Sequence, residues 1–125
     1  MTSEYLFNQI KSIHRLVLNN FEYNADQKTF NVRGTLPENT YDGTQYLVGD
    51  CEDFALACRK LCRDAEILHG QMVMCIDCGG SMHCVFEVGG WILDCRQAQV
   101  MARDDLAYDW VAVRQFSGGG KWTAL

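Results

Sequence analysis

The sequence is poor in the features that mark membrane and nucleic-acid-binding proteins. It has one proline in 125 residues, and it lacks a run of about 20 apolar residues, the length that spans a bilayer. Only 11 residues are lysine or arginine against 16 acidic ones, the net charge is −5, and the basic residues are scattered. Binding to a phosphate backbone needs clustered positive charge, so we expect neither a nucleic-acid partner nor membrane insertion.

The uninterrupted apolar core of a signal peptide is also lacking, because Glu4, Asn8, Lys11 and His14 are spread through the N-terminal segment. We therefore expect a cytoplasmic protein. The cysteine count of seven is odd, which fits reduced thiols better than a disulfide framework. The seven are Cys51, Cys58, Cys62, Cys75, Cys78, Cys84 and Cys95. Free cysteine is usually buried as a small apolar residue, so the question is which of them is not.

The length fits a single domain with one core. Hydrophobic residues make up 48% and charged residues 22%, a balance typical of a folded globular chain. We predict one domain over residues 1–116 and a flexible C-terminal tail over residues 117–125, which begins Ser-Gly-Gly-Gly.

Two helices are predicted. The first ends near Asn19 and carries apolar residues at spacings of four, three and four, at Leu6, Ile10, Ile13 and Val17. The second covers Cys51–Ala65, with Asp50 as its N-cap and a composition rich in good helix formers. Between them, residues 22–49 are rich in turn formers around one short predicted strand, Thr29–Val32.

Strand-like segments follow the second helix. They are Gln71–Ile76, Met82–Val88, Trp91–Cys95 and Tyr108–Phe116, and glycine-rich turns separate the first three. The order predicts an α+β domain in which N-terminal helices pack on an antiparallel sheet.

Cys51 lies at the predicted N-terminus of the second helix. Unpaired backbone N–H groups and the helix dipole favour negative charge there, and the thiolate is the nucleophilic form of cysteine. The same position leaves the backbone N–H of Cys51 available to bind an oxyanion. We predict that Cys51 is a catalytic nucleophile, with a buried structural cysteine as the alternative.

A nucleophilic cysteine needs a base, and three histidines are present. His14 lies on the first predicted helix and His69 in a connection, where solvation or packing is the usual role, whereas His83 begins a strand that enters a tight hairpin. If Gly89-Gly90 is a two-residue turn, the register pairs Val88 with Trp91, Val85 with Asp94 and His83 with Arg96. His83 and Asp94 are then diagonal neighbours on one face, so Asp94 is predicted to orient the imidazole.

These residues resemble the motifs of bacterial transglutaminase-like cysteine peptidases, a branch of the papain-like superfamily. The resemblance is carried by residues 49–55 (Gly-Asp-Cys-Glu-Asp-Phe-Ala), by Met82-His83 and by residues 91–94 (Trp-Ile-Leu-Asp). It implies a papain/transglutaminase-like fold with the nucleophile at a helix N-terminus. It also implies acyl transfer through a thioester by a triad of Cys51, His83 and Asp94, on a protein or peptide substrate.

The resemblance favours a peptidase over a transglutaminase or deamidase, although all three reactions share the thioester. It also suggests Gln45, six residues before Cys51, as an oxyanion-hole residue; a solvated loop glutamine is the alternative. The family often has asparagine where this chain has Cys95. No cofactor is required for this chemistry, and the sequence gives no indication of oligomeric state.

Three carboxylates, Asp50, Glu52 and Asp53, surround Cys51 in the sequence. One interpretation is that Asp50 caps the helix and Asp53 complements its dipole, while Glu52 faces water. The other is a calcium site, since calcium takes carboxylate oxygens and periplasmic adhesin-cleaving members of the resembled family bind calcium beside the nucleophile.

Two other classes of function remain open. A zinc-binding module could use Cys75, Cys78, His83 and Cys84, although His83 and Cys84 are consecutive on a predicted strand and should point to opposite faces. A catalytically silent interaction domain could keep the fold without the reaction.

Overall fold

The structure is a computed structural model that describes residues 3–25, 40–115 and 121–125. Helices α1 (Ser3–Asn19) and α2 (Cys51–Asp64) confirm the two predicted helices to within a residue or two. The strands are β1 (Phe21–Tyr23), β2 (Leu47–Gly49), β3 (Gln71–Ile76), β4 (Met82–Val88), β5 (Trp91–Leu93), β6 (Met101–Ala102), β7 (Asp109–Gln115) and β8 (Thr123–Ala124). The predicted strand Thr29–Val32 lies outside the described residues.

Six strands form one antiparallel sheet in the order β6-β5-β4-β3-β7-β8. Strands β1 and β2 form a separate parallel pair between the two helices in sequence. The predicted strand Trp91–Cys95 is shorter than expected, because β5 ends at Leu93. The sequence analysis also did not predict β8. This strand lies within the segment predicted as a C-terminal tail, and it pairs with β7.

The main core lies between the helices and one face of the sheet. The apolar stripe of α2, which includes Phe54, Cys58 and Cys62, packs against alternate residues of β4, Cys84 and Phe86. This arrangement is the predicted α+β architecture of helices on an antiparallel sheet. In the described part of the chain, neither helix has the length and apolar character to cross a membrane.

The other face of the sheet carries a smaller apolar cluster. Its buried members are Val73, Val85 and Ile92, which alternate along their strands with residues of the main core. Side chains from the segment before β7 and from β7 itself pack over them, namely Leu106, Tyr108, Trp110 and Val113. Strand β4 is therefore covered on both faces, which explains why His83 through Val88 are all buried.

Gly70, just before β3, approaches the ring of Phe86 so closely that a Cβ atom there would lie 2.8 Å from ring carbon Cε2. We expect Gly70→Ala to lower the free energy of unfolding by about 1–3 kcal/mol, because overpacking displaces a core ring. Gly79→Ala is the matched control: its Cβ would meet nothing nearer than Asp77 Oδ1 at 3.5 Å. Urea denaturation measures both, and equal stabilities of the two variants would contradict this packing.

Candidate active site

The N-terminus of α2 is fixed by a capping box around Cys51. The Asp50 carboxylate accepts a hydrogen bond from the Asp53 backbone N–H, and the Asp53 carboxylate accepts one from the Asp50 N–H, both at 3.1 Å. Gly49 gives the box its space, because a Cβ atom at this position would lie 2.8 Å from the Asp53 Cβ. Cys51 is therefore the first residue of a helix whose start is held by reciprocal hydrogen bonds.

The Cys51 side chain is half-buried and lies against the start of β4. The backbone N–H of Cys84 points at Cys51 Sγ, with a nitrogen-to-sulfur distance of 3.4 Å. This N–H and the N-terminus of α2 both present partial positive charge to the sulfur.

The His83 imidazole is fully buried beside Cys51 and Asp94. Its Nε2 lies 2.7 Å from Asp94 Oδ1, while Nδ1 has no hydrogen-bond partner among the described residues. Burial disfavours the charged imidazole, but the hydrogen bond to Asp94 and the neighbouring Cys51 sulfur outweigh it and raise the pKa of His83 to about 9. The imidazole is therefore predominantly protonated at neutral pH.

The Asp94 carboxylate is also fully buried, and three donors surround it. Oδ1 accepts from His83 and from the backbone N–H of Arg96 at 2.9 Å, and Oδ2 accepts from the Tyr108 hydroxyl at 2.6 Å. Burial alone would raise the pKa of Asp94, but these hydrogen bonds lower it below its usual value. The backbone carbonyl of Asp94 is held as well, by His14 Nε2 at 2.9 Å.

The hairpin register inferred from the Gly89-Gly90 turn holds for three pairs, Val88 with Trp91, Glu87 with Ile92 and Phe86 with Leu93. Beyond Leu93 the chain turns, with the Gln97 N–H bonded to the Asp94 carbonyl. The pairing of His83 with Arg96 was therefore wrong. The Arg96 guanidinium instead pairs with Asp77 at 2.7 Å. His83 and Asp94 nevertheless meet, because Asp94 is the first residue after the strand.

Burial raises the pKa of five other thiols. The pKa of Cys62, of Cys75 and of Cys95 rises to about 12. For Cys58 and Cys84 the direction is the same and the cause is again chiefly burial. These five side chains are therefore poor nucleophiles, as expected for cysteines used as small apolar residues. Cys78 is exposed, on the turn after β3.

The residues predicted for a zinc module do not come together. Cys75 Sγ donates to the backbone carbonyl of His83 rather than sharing a centre with its ring, and Cys84 follows His83 on a regular strand. Among the described residues, the one group of three metal-ligating side chains is His83, Asp94 and Cys95, with ligand atoms within 4.8 Å of one another. Both Asp94 oxygens in that group already accept hydrogen bonds.

The three carboxylates considered for calcium lie along the first turn of α2. The structure confirms Asp50 as the N-cap of the helix. Asp53 lies in the first turn as expected, and its carboxylate also accepts from the Asp50 N–H, which was not predicted. Glu52 is outside the box and half-buried. The oxygen donors are of the kind that calcium binds, so the residues fit this ion in chemistry, although two of them are already ordered by each other.

Gln45 lies in the loop before β2. Its Oε1 accepts from the Asp42 N–H at 3.0 Å, and its Nε2 donates to the Thr40 carbonyl at 3.1 Å. Both ends of the amide are thus occupied within the loop. The oxyanion role of Gln45 stays a prediction.

Sequence reasoning missed two residues that contact Asp94. His14 lies four residues after Ile10 and three before Val17, so its position on the apolar stripe of α1 was a signal that it is buried. Burial lowers the pKa of His14, which keeps this imidazole neutral and able to donate to the Asp94 carbonyl. Tyr108 had no comparable signal, because its place depends on the pairing of β7.

The charge on His83 makes stability depend on pH. In the folded protein the imidazole keeps its proton up to about pH 9, against 6.5 in an unperturbed chain. Between these values the folded state binds more protons than the unfolded state. The free energy of unfolding should therefore fall as the pH rises, by up to roughly 1.4 kcal/mol per pH unit. Ionisation of Cys51 in the folded state would offset this proton, so the slope is measured in the Cys51→Ala background, by urea denaturation between about pH 7 and 8.

Substitution of His83 by glutamine should remove this slope. His69→Gln is the control, since His69 is exposed, and it should leave the slope unchanged. A stability of the Cys51→Ala protein that is flat over the same range would refute a charged His83.

Solved structures with the same fold include Legionella pneumophila LapG, with a TM-score of 0.67 at 15% identity over 89% of this chain and 66% of that one. A calcium-bound LapG structure has a TM-score of 0.60 at 19% identity over 86% of this chain and 64% of that one, so this chain spans just under two thirds of the LapG chains. No curated protein sequence matches. Residues 1–125 match the bacterial transglutaminase-like cysteine proteinases, and the chain belongs to this family.

Proposed function

We propose that this protein is a cysteine peptidase that hydrolyses a peptide amide through a thioester, with Cys51 as nucleophile, His83 as acid and base, and Asp94 as the group that orients His83. The observation that carries the proposal is the buried His83 imidazole, which has a carboxylate on one nitrogen and the Cys51 sulfur as its neighbour. Membership in a cysteine proteinase family supports the same reaction.

In the acylation step, the Cys51 thiolate attacks the carbonyl carbon of the substrate and forms the carbon–sulfur bond. The electron pair of the carbonyl moves to its oxygen, and the first backbone N–H groups of α2, including that of Cys51, are the donors available to this oxyanion. Collapse of the intermediate breaks the carbon–nitrogen bond. The leaving amine takes the proton of the His83 imidazolium.

Deacylation returns the site to its starting state. A water molecule attacks the thioester carbonyl while neutral His83 accepts its proton, and the carbon–sulfur bond breaks to release the acid. An amine in place of water would give transamidation, and a glutamine side chain as substrate would give deamidation. We favour the peptidase because the family is one of proteinases.

The proposal predicts that Cys51 reacts with iodoacetamide at mildly acidic pH well before the other six cysteines. The His83 imidazole and the Cys84 N–H lie against its sulfur, whereas burial suppresses ionisation of five of the others. Cys78 is the internal control, because it is exposed and lies away from a helix N-terminus. Peptide mapping by mass spectrometry after brief labelling measures the order.

Two substitutions test whether the three residues act together. Asp94→Asn should slow Cys51 labelling and peptide cleavage by orders of magnitude, because the amide can hold the wrong imidazole tautomer. Arg96→Ala should spare most activity, because only its backbone N–H contacts Asp94. Cleavage is read as new termini in a peptide mixture, with Cys51→Ala as blank. Preferential labelling of Cys78, or a dead Arg96→Ala beside an active Asp94→Asn, would contradict the proposed roles.

We also propose calcium as a ligand of the acidic turn, supported by the donor chemistry of Asp50, Glu52 and Asp53 and by the calcium-bound LapG structure. Calcium there would neutralise carboxylate charge at the start of α2. If it binds, chelation should lower the melting temperature, since a ligand at 100 times its Kd stabilises by roughly 2.7 kcal/mol.

Glu52→Gln is the sharpest variant for the calcium test, because it leaves the capping box of Asp50 and Asp53 intact. It should abolish the response of the melting temperature to calcium and chelator. Glu4→Gln, at an exposed carboxylate of α1, should not change the response. A wild-type melting temperature that is the same with calcium and with chelator would leave helix capping as the role of these residues.

A further inference from the structure

We infer that Tyr108 is a positioning residue of this site: its hydroxyl and ring hold the Asp94 carboxylate and the His83 imidazole in their paired geometry. The inference rests on the proposed function, because positioning matters to catalysis only if His83 takes part in it. The effect of Tyr108 on the Asp94 carboxylate can be measured independently of catalysis.

Tyr108 contacts both members of the pair. Its hydroxyl donates to Asp94 Oδ2 at 2.6 Å, and its ring meets the His83 ring edge to face, with centroids 5.5 Å apart. Burial and the Asp94 contact raise the pKa of Tyr108, so the hydroxyl keeps its proton and stays a donor. The Gln97 side chain lies near the same hydroxyl and partly offsets this rise. Asp94 thus has one oxygen for His83 and the other fixed by Tyr108.

A bulge in β7 puts Tyr108 on the required face of the sheet. Met74 pairs with Ala112, but Cys75 pairs with Trp110, so Val111 is an extra residue in β7. In a regular strand Trp110 and Val113 would point to opposite faces, and here both pack in the cluster on the His83 side of the sheet. Tyr108, two residues before Trp110, follows it onto that face.

The Tyr108 ring is packed against Trp110, which is in turn held by Arg103 and Glu87. Trp110 packs edge to face against Tyr108, with centroids 5.6 Å apart, and the Arg103 guanidinium stacks over Trp110 at 4.9 Å. Arg103 is held in turn by the buried Glu87 carboxylate at 3.2 Å. A ring supported in this way keeps its hydroxyl at a fixed distance from Asp94, which is what a positioning residue requires.

The test uses Tyr108→Phe, which keeps the ring and removes the hydroxyl. Without this donor the Asp94 carboxylate should protonate at higher pH. Its acid dissociation constant should fall roughly tenfold or more, because the loss of a hydrogen bond to a charged group has an effect of this size. Carbon NMR of the Asp94 carboxyl measures this directly. The acid limb of Cys51 alkylation should move to higher pH in parallel, because protonation of Asp94 removes the support of the His83 charge.

Tyr46→Phe is the matched control. The Tyr46 hydroxyl also donates to a carboxylate, Glu22 Oε1 at 2.8 Å, on the exposed surface. Its removal should leave both the Asp94 titration and the alkylation profile unchanged. If Tyr108→Phe does not fold, Gln97→Leu replaces it, since that variant loses the second contact of the hydroxyl and keeps the ring; a smaller shift in the same direction is expected.

A double-mutant cycle completes the test. In the Asp94→Asn background, Tyr108→Phe should have little further effect on Cys51 alkylation, because Tyr108 acts through the carboxylate. An unchanged Asp94 titration in Tyr108→Phe, or an effect on alkylation of equal size in the Asp94→Asn background, overturns the inference. Unselective labelling of wild-type Cys51 would refute the proposed function instead, and the Asp94 titration would still decide the role of Tyr108.

Discussion

A carboxylate buried without compensation is among the most unfavourable groups a protein interior can contain, and Asp94 is fully buried. Its charge is tolerated because its two oxygens accept three hydrogen bonds, one of them from an imidazole that carries the opposite charge. Removing any donor would leave part of that charge unsolvated. The geometry of the site therefore follows from the need to satisfy this one group.

The partners of Asp94 come from separate parts of the fold. His83 belongs to β4, Tyr108 to the segment before β7, and His14 to α1, which reaches the Asp94 backbone from the opposite side of the sheet. The Asp94 turn can therefore reach its final geometry only when both faces of the sheet are covered. The geometry of this candidate site therefore depends on tertiary contacts, and the site is not a feature of a local segment.

Much of this arrangement could be predicted from short-range patterns. The start of α2 at Cys51 and the two-residue turn at Gly89-Gly90 each depend on local backbone preferences, and both were predicted. The turn also predicted that His83 and Asp94 lie close together, although the pairing assumed beyond Leu93 was wrong. The pattern failed where the register stopped at Leu93, because a strand end is decided by tertiary contacts such as the His14 hydrogen bond. Tyr108 was beyond its reach, since no local signal marks a bulge that forms only against β3.

The bulged residue of β7 has an evolutionary consequence. Trp110 pairs with Cys75. A regular β7 without Val111 would give Trp110 the same partner. Val111 is therefore a residue that β7 can gain or lose without turning Trp110 and Tyr108 to the other face of the sheet. Related chains can keep the same tyrosine at a different sequence distance from the rest of β7, and an alignment that admits no gap at this position would assign it to the wrong column.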